Sequence, residues 1–344
     1  MNSCHLWVLI CGCTDVHGVH LPISQGNARG TVAWPGVSYR THEVRVKFSA
    51  GELSLTLSVW LPDGAGPFPV VLDIDGCWKC FSDDIIRTVV DRGYIAASVD
   101  RTEAADDNKD HYRDSGLYRI FPAAEFGVCS AWAWAAHRCV DALIGMKEVQ
   151  SNGIAVTGHS RGGKAAILAG VTDERIAVTN PNNSGCGGAG LLRLKGSRAE
   201  EINSFWSRDT GEPQNAFWFG KGWHNSRKQD DQLPYDSHFL HAMVAPRALL
   251  LTEAYEDSGA NPASSYLAAQ HARQVYSTLG VGESIGWAFR EGGHAHGPED
   301  YGALLDFMDV CIKKKPIIRD FQRQLYPDLA DILKRFDDPT RVQY

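Results

Sequence analysis

Two stretches near the amino end alternate apolar and polar residues with a period of two. They are Glu43-Val-Arg-Val-Lys-Phe48 and Leu53-Ser-Leu-Thr-Leu-Ser-Val-Trp-Leu61, with Ala50-Gly51 between them. Such alternation buries one face of a strand, and a glycine-containing turn between two alternating runs predicts an antiparallel hairpin. After the break Pro62-Asp-Gly-Ala-Gly-Pro67 the pattern changes. Residues 68–74 and 94–100 are nearly continuous apolar runs, which suits strands covered on both faces. A helix is predicted over 83–92, and another over 126–144, where Trp132, Trp134, Val140 and Leu143 are among the large apolar residues. Later strands are expected at 154–157, 175–180, 247–252 and 285–290, with an amphipathic helix over 301–312. Strands alternating with helices imply a three-layer α/β sandwich. Its central sheet is mostly parallel, and the hairpin adds antiparallel strands at its start.

The same pattern sets the domain organisation. Residues 1–39 are rich in Gly, His and Pro, lack a period, and read as an irregular lead-in. Residues 40–312 form one α/β domain, and 313–344 are expected to be a helical tail, with Lys313-Lys-Lys315 at a solvated helix end. No internal repeat and no linker divides the chain. Between two predicted strands, residues 188–240 make a long interruption crowded with Phe205, Trp206, Phe217, Trp218, Phe219 and Trp223. A loop of that size inside a compact domain is usually functional. It reads equally as a lid or wall of a pocket and as an inserted subdomain packing its own aromatics.

Composition narrows the function classes. The 344 residues are 44% hydrophobic, enough for a large core, and the formal net charge of −7 argues against a nucleic-acid partner. The nine cysteines are odd in number, and their spacing is not that of a dense disulfide framework. Cys77-Trp-Lys-Cys80 is a lone C-x-x-C, with no second pair to suggest a metal. The apolar run Leu6-Trp-Val-Leu-Ile-Cys11 is shorter than a membrane span and lacks the positive flank of a secretory signal. No membrane, metal or cofactor is expected, and oligomeric state is not readable.

Chemistry concentrates in Ile154-Ala-Val-Thr-Gly-His-Ser-Arg-Gly-Gly-Lys164. A β-branched run ends in Gly158-His159-Ser160-Arg161-Gly162, and a small-residue helix pattern follows. Strand, tight turn and helix with a serine at the apex are the context of a nucleophile elbow, whose two glycines allow strand and helix to approach. A serine hydroxyl needs a base within hydrogen-bond reach, and the base needs an orienting acid; on this fold the order is Ser, acid, His. After the last predicted strand stands Glu291-Gly-Gly-His294-Ala-His296, making His294 the expected base and His296 the alternative. After the strand before it stands Glu253-Ala-Tyr-Glu256-Asp257. Asp257 lies deepest in that loop and is the expected acid; Glu256 is the second choice and Glu253 the structural one. The oxyanion hole is expected from the backbone of Arg161 and a donor near Gly76 in the loop after residues 68–74.

Several blocks in register resemble the glucuronoyl esterases, carbohydrate esterase family fifteen, on the α/β-hydrolase fold. Gly158 to Lys164 is similar to the family's G-C-S-R-x-G-K elbow, and Ser184-Gly-Cys-Gly-Gly-Ala189 to its S-G-x-G-G-A block. Leu233-Pro-Tyr-Asp-Ser-His238, Val244-Ala-Pro-Arg247, Ala131-Trp-Ala-Trp134 with Arg138 and Asp141, and Gly292-Gly-His294 also match. The resemblance implies a serine carboxylic-ester hydrolase that cleaves glucuronoyl esters between xylan and lignin alcohols. It also suggests a secreted or periplasmic setting. Ser160 would be the nucleophile and His294 the base, Arg161 would aid the oxyanion, and Lys164, Trp218 and Asp236 would contact the sugar. The chain departs from the pattern where many members carry the acid glutamate, since that position is Asn183. It departs again two residues past Asp257, where Gly259 replaces a tryptophan, and at His159, where cysteine is usual. Those departures motivate two alternatives, an acetyl or small-ester carbohydrate esterase and, more remotely, a non-catalytic carbohydrate-binding protein on the same fold.

Overall fold

The computed structural model describes residues 23–24, 34–78, 80–195, 198–227 and 232–327. The apolar run at 6–11 and the last 17 positions of the expected tail, 328–344, lie outside them. The strands are β1 (Ile23–Ser24), β2 (Val37–Phe48), β3 (Gly51–Pro62), β4 (Phe68–Asp73), β5 (Ile95–Val99), β6 (Val149–His159), β7 (Ile176–Asn182), β8 (Ala248–Ala254) and β9 (Ile285–Arg290). They form one sheet in the order β1-β2-β3-β5-β4-β6-β7-β8-β9. The hairpin is present and longer than its alternating core: β2 and β3 pair antiparallel from Val37↔Pro62 to Phe48↔Gly51. From β5 across to β9 every neighbouring pair is parallel.

The helices are α1 (Asp83–Asp91), α2 (Gly116–Ile120), α3 (Val128–Ile144), α4 (Arg161–Thr172), α5 (Lys221–Asn225), α6 (His238–Val244), α7 (Pro262–Thr278) and α8 (Pro298–Cys311). Successive residues of a parallel strand feed opposite faces of the sheet. Val70 and Leu72 pack with Trp132, Val140 and Ala165 of α3 and α4. Val71 and Leu250 pack with Ile86 and Val89 of α1 and Leu304 of α8. Leu249 and Leu251 meet Tyr266 and Ala269 of α7. This is the three-layer sandwich that the continuous apolar strands require, because both faces must be covered.

One expectation is corrected, and one helix lacks a sequence expectation. Residues 313–327 run as turns and irregular chain, so the described part of the tail is not a helical extension of α8. The helix α7 had no counterpart in the apolar pattern. Its buried positions are mostly small, among them Ser264, Ser265, Ala268, Ala269 and Ala272, and leave little periodic contrast. Asn261-Pro262 at its start was the available signal, since proline suits the first turn of a helix. In the long interruption, Phe205, Trp206, Phe217 and Trp218 are buried in the same core as α3 and α4. The aromatics also pack on one another, with Phe219 stacked on Trp223 at 4.2 Å. The segment is therefore both a packed insert and a wall of the main body.

Candidate active site

The elbow depends on small residues on either side of a strained serine. Ser160 sits between β6 and α4 at φ 55° and ψ −120°, a left-handed conformation that a non-glycine residue adopts at a cost of about 1–3 kcal/mol. Its N–H donates to Asn182 O at 2.9 Å, which ties the turn to the end of β7. A Cβ on Gly158 would come within 2.6 Å of Gly162 O, and one on Gly162 would overlap the Asp75 carboxylate. Both glycines of the motif are thus sterically required.

The rest of the site collects at the carboxyl ends of the strands, where parallel sheets present their loops. The turns after β8 and β9 are bonded to each other: Tyr255 N–H donates to Arg290 O at 3.0 Å and Glu256 N–H to Gly292 O at 3.1 Å. Arg290 straps the histidine loop, donating to Ala295 O at 2.6 Å and Gly293 O at 3.3 Å while Asp300 holds its Nε. This brings His294 Nδ1 to 2.5 Å from Asp257 Oδ2. The carboxylate accepts, so Nδ1 carries the proton and Nε2 keeps its lone pair, as a general base requires. Burial pushes the Asp257 carboxyl up, but the hydrogen bond and charge of His294 outweigh it, and the group lies below the usual carboxylate range. Ala260 N–H donates to the other oxygen at 3.2 Å.

Ser160, His294 and Asp257 line one cavity of about 180 Å³ together with Asn183, Glu200, Gly259 and Ala260. The two alternatives fall away from it. Glu256 is exposed, one residue too early to face the histidine. His296 is buried and stacked on Tyr301 at 4.2 Å, and burial holds its imidazole well below the usual range. Glu253 is fully buried, and burial keeps its carboxyl well above its ordinary value.

Other expected residues have different neighbours from those anticipated. Gly76 is corrected as an oxyanion donor: its N–H donates to Val99 O at 2.9 Å, so the glycine closes the loop against β5. Lys164 is buried and its ammonium donates to Ser184 O at 2.7 Å, Cys186 O at 2.8 Å and Glu200 at 2.7 Å. All three protons are engaged, which corrects the expectation of a direct sugar contact; the residue facing the cavity is its partner, Glu200. Asp236 is also corrected. Its carboxylate accepts from the N–H groups of Leu192 at 2.6 Å, Ser237 at 2.7 Å and Arg193 at 3.3 Å, pinning the insert rather than facing the cavity. Trp218 donates its Nε1–H to Asp107 at 3.1 Å and carries the Arg161 guanidinium 4.3 Å over its ring. It lines a second cavity of about 220 Å³ with Lys164, Phe219 and Trp223. Arg161 is additionally paired with Asp107 at 3.2 Å.

Three residues that support the elbow went unnoticed in the sequence. Asp75 accepts the His159 N–H at 2.6 Å and faces Arg101 at 2.9 Å. Asn182 donates its amide to Thr252 O at 3.1 Å, so its Oδ1 accepts from His159 Nδ1 at 2.6 Å. Burial lowers that imidazole to about 4, so it is neutral, with its ring 4.4 Å from that of His294. Asp107 joins Arg101, Arg161 and Trp218. An acid two residues past β4 was the available hint, because most of the partners are distant in sequence. Cys77 and Cys80 are free thiols pushed up to about 12 and about 11 by burial, Cys77 accepting from Arg101. Among the described residues no cluster of His, Cys, Asp and Glu could hold a metal ion.

A parallel sheet with an antiparallel leading hairpin, a strained serine turn and a His–Asp pair at its carboxyl edge define an α/β-hydrolase. Residues 44–280 match a family model described as glucuronyl esterase, fungi, and the chain belongs to that family. The 4-O-methyl-glucuronoyl methylesterase 1 of Phanerochaete chrysosporium is 31% identical over 294 residues, 80% of this chain and 60% of that protein. The corresponding methylesterase of Cerrena unicolor is 35% identical over 210 residues, 59% of this chain and 44% of that one. The chain thus spans about six-tenths or less of the length of these relatives. Among solved structures, a carbohydrate esterase family 15 glucuronoyl esterase from Caldicellulosiruptor kristjansonii superposes with a TM-score of 0.74 at 30% identity. That match covers 90% of this chain and 83% of the other. A glucuronoyl esterase from Sporotrichum thermophile shares the fold at 22% identity, with a TM-score of 0.72 over 95% and 87% of the two chains.

Proposed function

We propose that this chain is a serine carboxylic-ester hydrolase acting on carbohydrate-linked esters, most specifically those of 4-O-methyl-glucuronic acid. The observation that carries the reading is the 2.5 Å His294–Asp257 bond in the cavity that also holds Ser160. Family membership and relatives named 4-O-methyl-glucuronoyl methylesterases support the substrate class.

In this reading His294 Nε2 takes the Ser160 proton as Oγ attacks the ester carbonyl. Asp257 stabilises the imidazolium that forms. The developing oxyanion is met by the N–H of Arg161 in the first turn of α4, with the Arg161 guanidinium adding positive charge at the elbow. The same histidine then gives its proton to the departing alcohol, and an acyl-enzyme remains on Ser160. Water activated by His294 releases the acid. Glu200, fixed by Lys164, and Asn183 line the space for the acyl group.

Gly259 favours a second reading on the same chemistry. A Cβ there would meet only Asp257 Oδ1, at 3.6 Å, so this wall offers no stacking surface and would suit a smaller acyl group. Turnover of benzyl glucuronate and of a simple acetyl ester, measured side by side, separates the two. The uronate should be preferred; a clear preference for the acetyl ester rejects the uronate reading.

A further inference from the structure

Two asparagines adjacent in sequence stand at the carboxyl end of β7, Asn182 as its last residue and Asn183 just beyond it, and their side chains differ in one respect. The Asn182 carboxamide is fully engaged with His159 and Thr252. The Asn183 side chain is just as inaccessible, at 1% exposure, yet neither its Oδ1 nor its Nδ2 has a hydrogen-bond partner among the described residues. Its backbone is pinned, with the N–H donating to Thr252 O at 3.1 Å and φ held at 42°. The residue therefore keeps a strained conformation while it lines the catalytic cavity with Ser160, Glu200 and His294. A buried donor and acceptor left unpaired are costly, so such a group is expected to meet a partner supplied from the cavity.

We propose that Asn183 is a specificity-determining residue whose carboxamide binds ring hydroxyls of the sugar acyl group. The proposal rests on the ester-hydrolase reading above and deepens it. A carboxamide offers donor and acceptor side by side and no charge, which matches a hydroxyl that both accepts and donates. Glu200, on the same wall, supplies a further acceptor, and the open position at Gly259 leaves room for a ring. The alcohol lies elsewhere. His294 must reach the leaving oxygen to protonate it, and its side chain is 45% exposed, so the alcohol departs on the solvent side while the cavity keeps the acid.

The test uses two esters with the same alcohol, benzyl glucuronate and benzyl cyclohexanecarboxylate, which lacks ring hydroxyls. Two variants are compared with the wild type: Asn183→Gly, which suits the positive φ, and Asn183→Leu, which keeps the volume. Both should lower kcat/KM for the glucuronate by about tenfold, mainly through KM, as expected for one or two lost hydrogen bonds. Turnover of the cyclohexane ester should fall less, so that the ratio of kcat/KM for the glucuronate to that for the cyclohexane ester drops by several-fold. Equal losses on both esters, or no loss on either, overturn the assignment. If the wild type hydrolyses neither ester, it is the esterase reading that fails instead.

Discussion

The underside of the elbow and the cavity wall beside it are built from neighbouring residues on opposite terms. Beneath the serine the groups that hold the turn are paired: His159 is held through its backbone by Asp75 and through its ring by Asn182, and Lys164 has three acceptors. One residue past Asn182, Asn183 is buried with its amide unpaired among the described residues, and Gly259 presents no side chain. The difference separates two demands on one site. The nucleophile must be held in a strained turn whatever the substrate, so its supports are redundant and internal. The wall proposed to read the substrate would keep its hydrogen-bonding capacity for a partner that arrives later.

The acid belongs to the first kind of region, and replacing it gives the largest effect. Asp257→Asn should lower kcat on the order of 10³- to 10⁴-fold by losing the carboxylate that orients and charges against His294, while Glu256→Gln stays near wild type. Steady-state kinetics of both variants on one ester would check this, and the reverse ranking would remove Asp257 from the site.

A smaller effect probes how much the packed interior depends on neutral groups. Burial lowers His137 and His159 to about 4 and His241 to about 3, against an ordinary 6.5. For a depressed histidine the unfolded chain binds the extra proton, so stability is fully present above about pH 6.5 and is lost as pH falls toward 4. Each group contributes up to about 1.4 kcal/mol per pH unit within that window. Urea midpoints should fall between pH 6.5 and 4.5, and His137→Gln should flatten the decline. A midpoint independent of pH, or an unchanged slope in the variant, would show that these imidazoles titrate normally.

Much of this architecture was legible in the sequence because it rests on local pattern and chain order. The hairpin follows from period-two alternation, and the parallel core from continuous apolar strands. That Ser160, Asp257 and His294 meet in one cavity follows from the rule that loops after successive strands share one edge of the sheet. What escaped depends on partners far apart in the chain. Gly76 looked like an oxyanion donor until β5 claimed its N–H. Lys164 looked free until Glu200, from the insert, and two carbonyls took its protons. Asp75 and Asn182 carry no motif of their own; their roles exist only once β4, β6, β7 and β8 lie side by side. Position 183, where the resemblance led one to expect an acid, holds an amide, and only the structure separates its fate from that of Asn182.

The central claim is that Ser160 is the nucleophile of an acyl-transfer site. Its most direct test is to compare wild type and Ser160→Ala on benzyl glucuronate and to analyse the intact mass of both after exposure to a serine-directed fluorophosphonate. The account predicts that the wild type gains a single adduct mapped to Ser160, and that the variant gains none there and loses turnover by about 10³-fold or more. Undiminished turnover by the variant, or an adduct on another residue that abolishes wild-type activity, would contradict it.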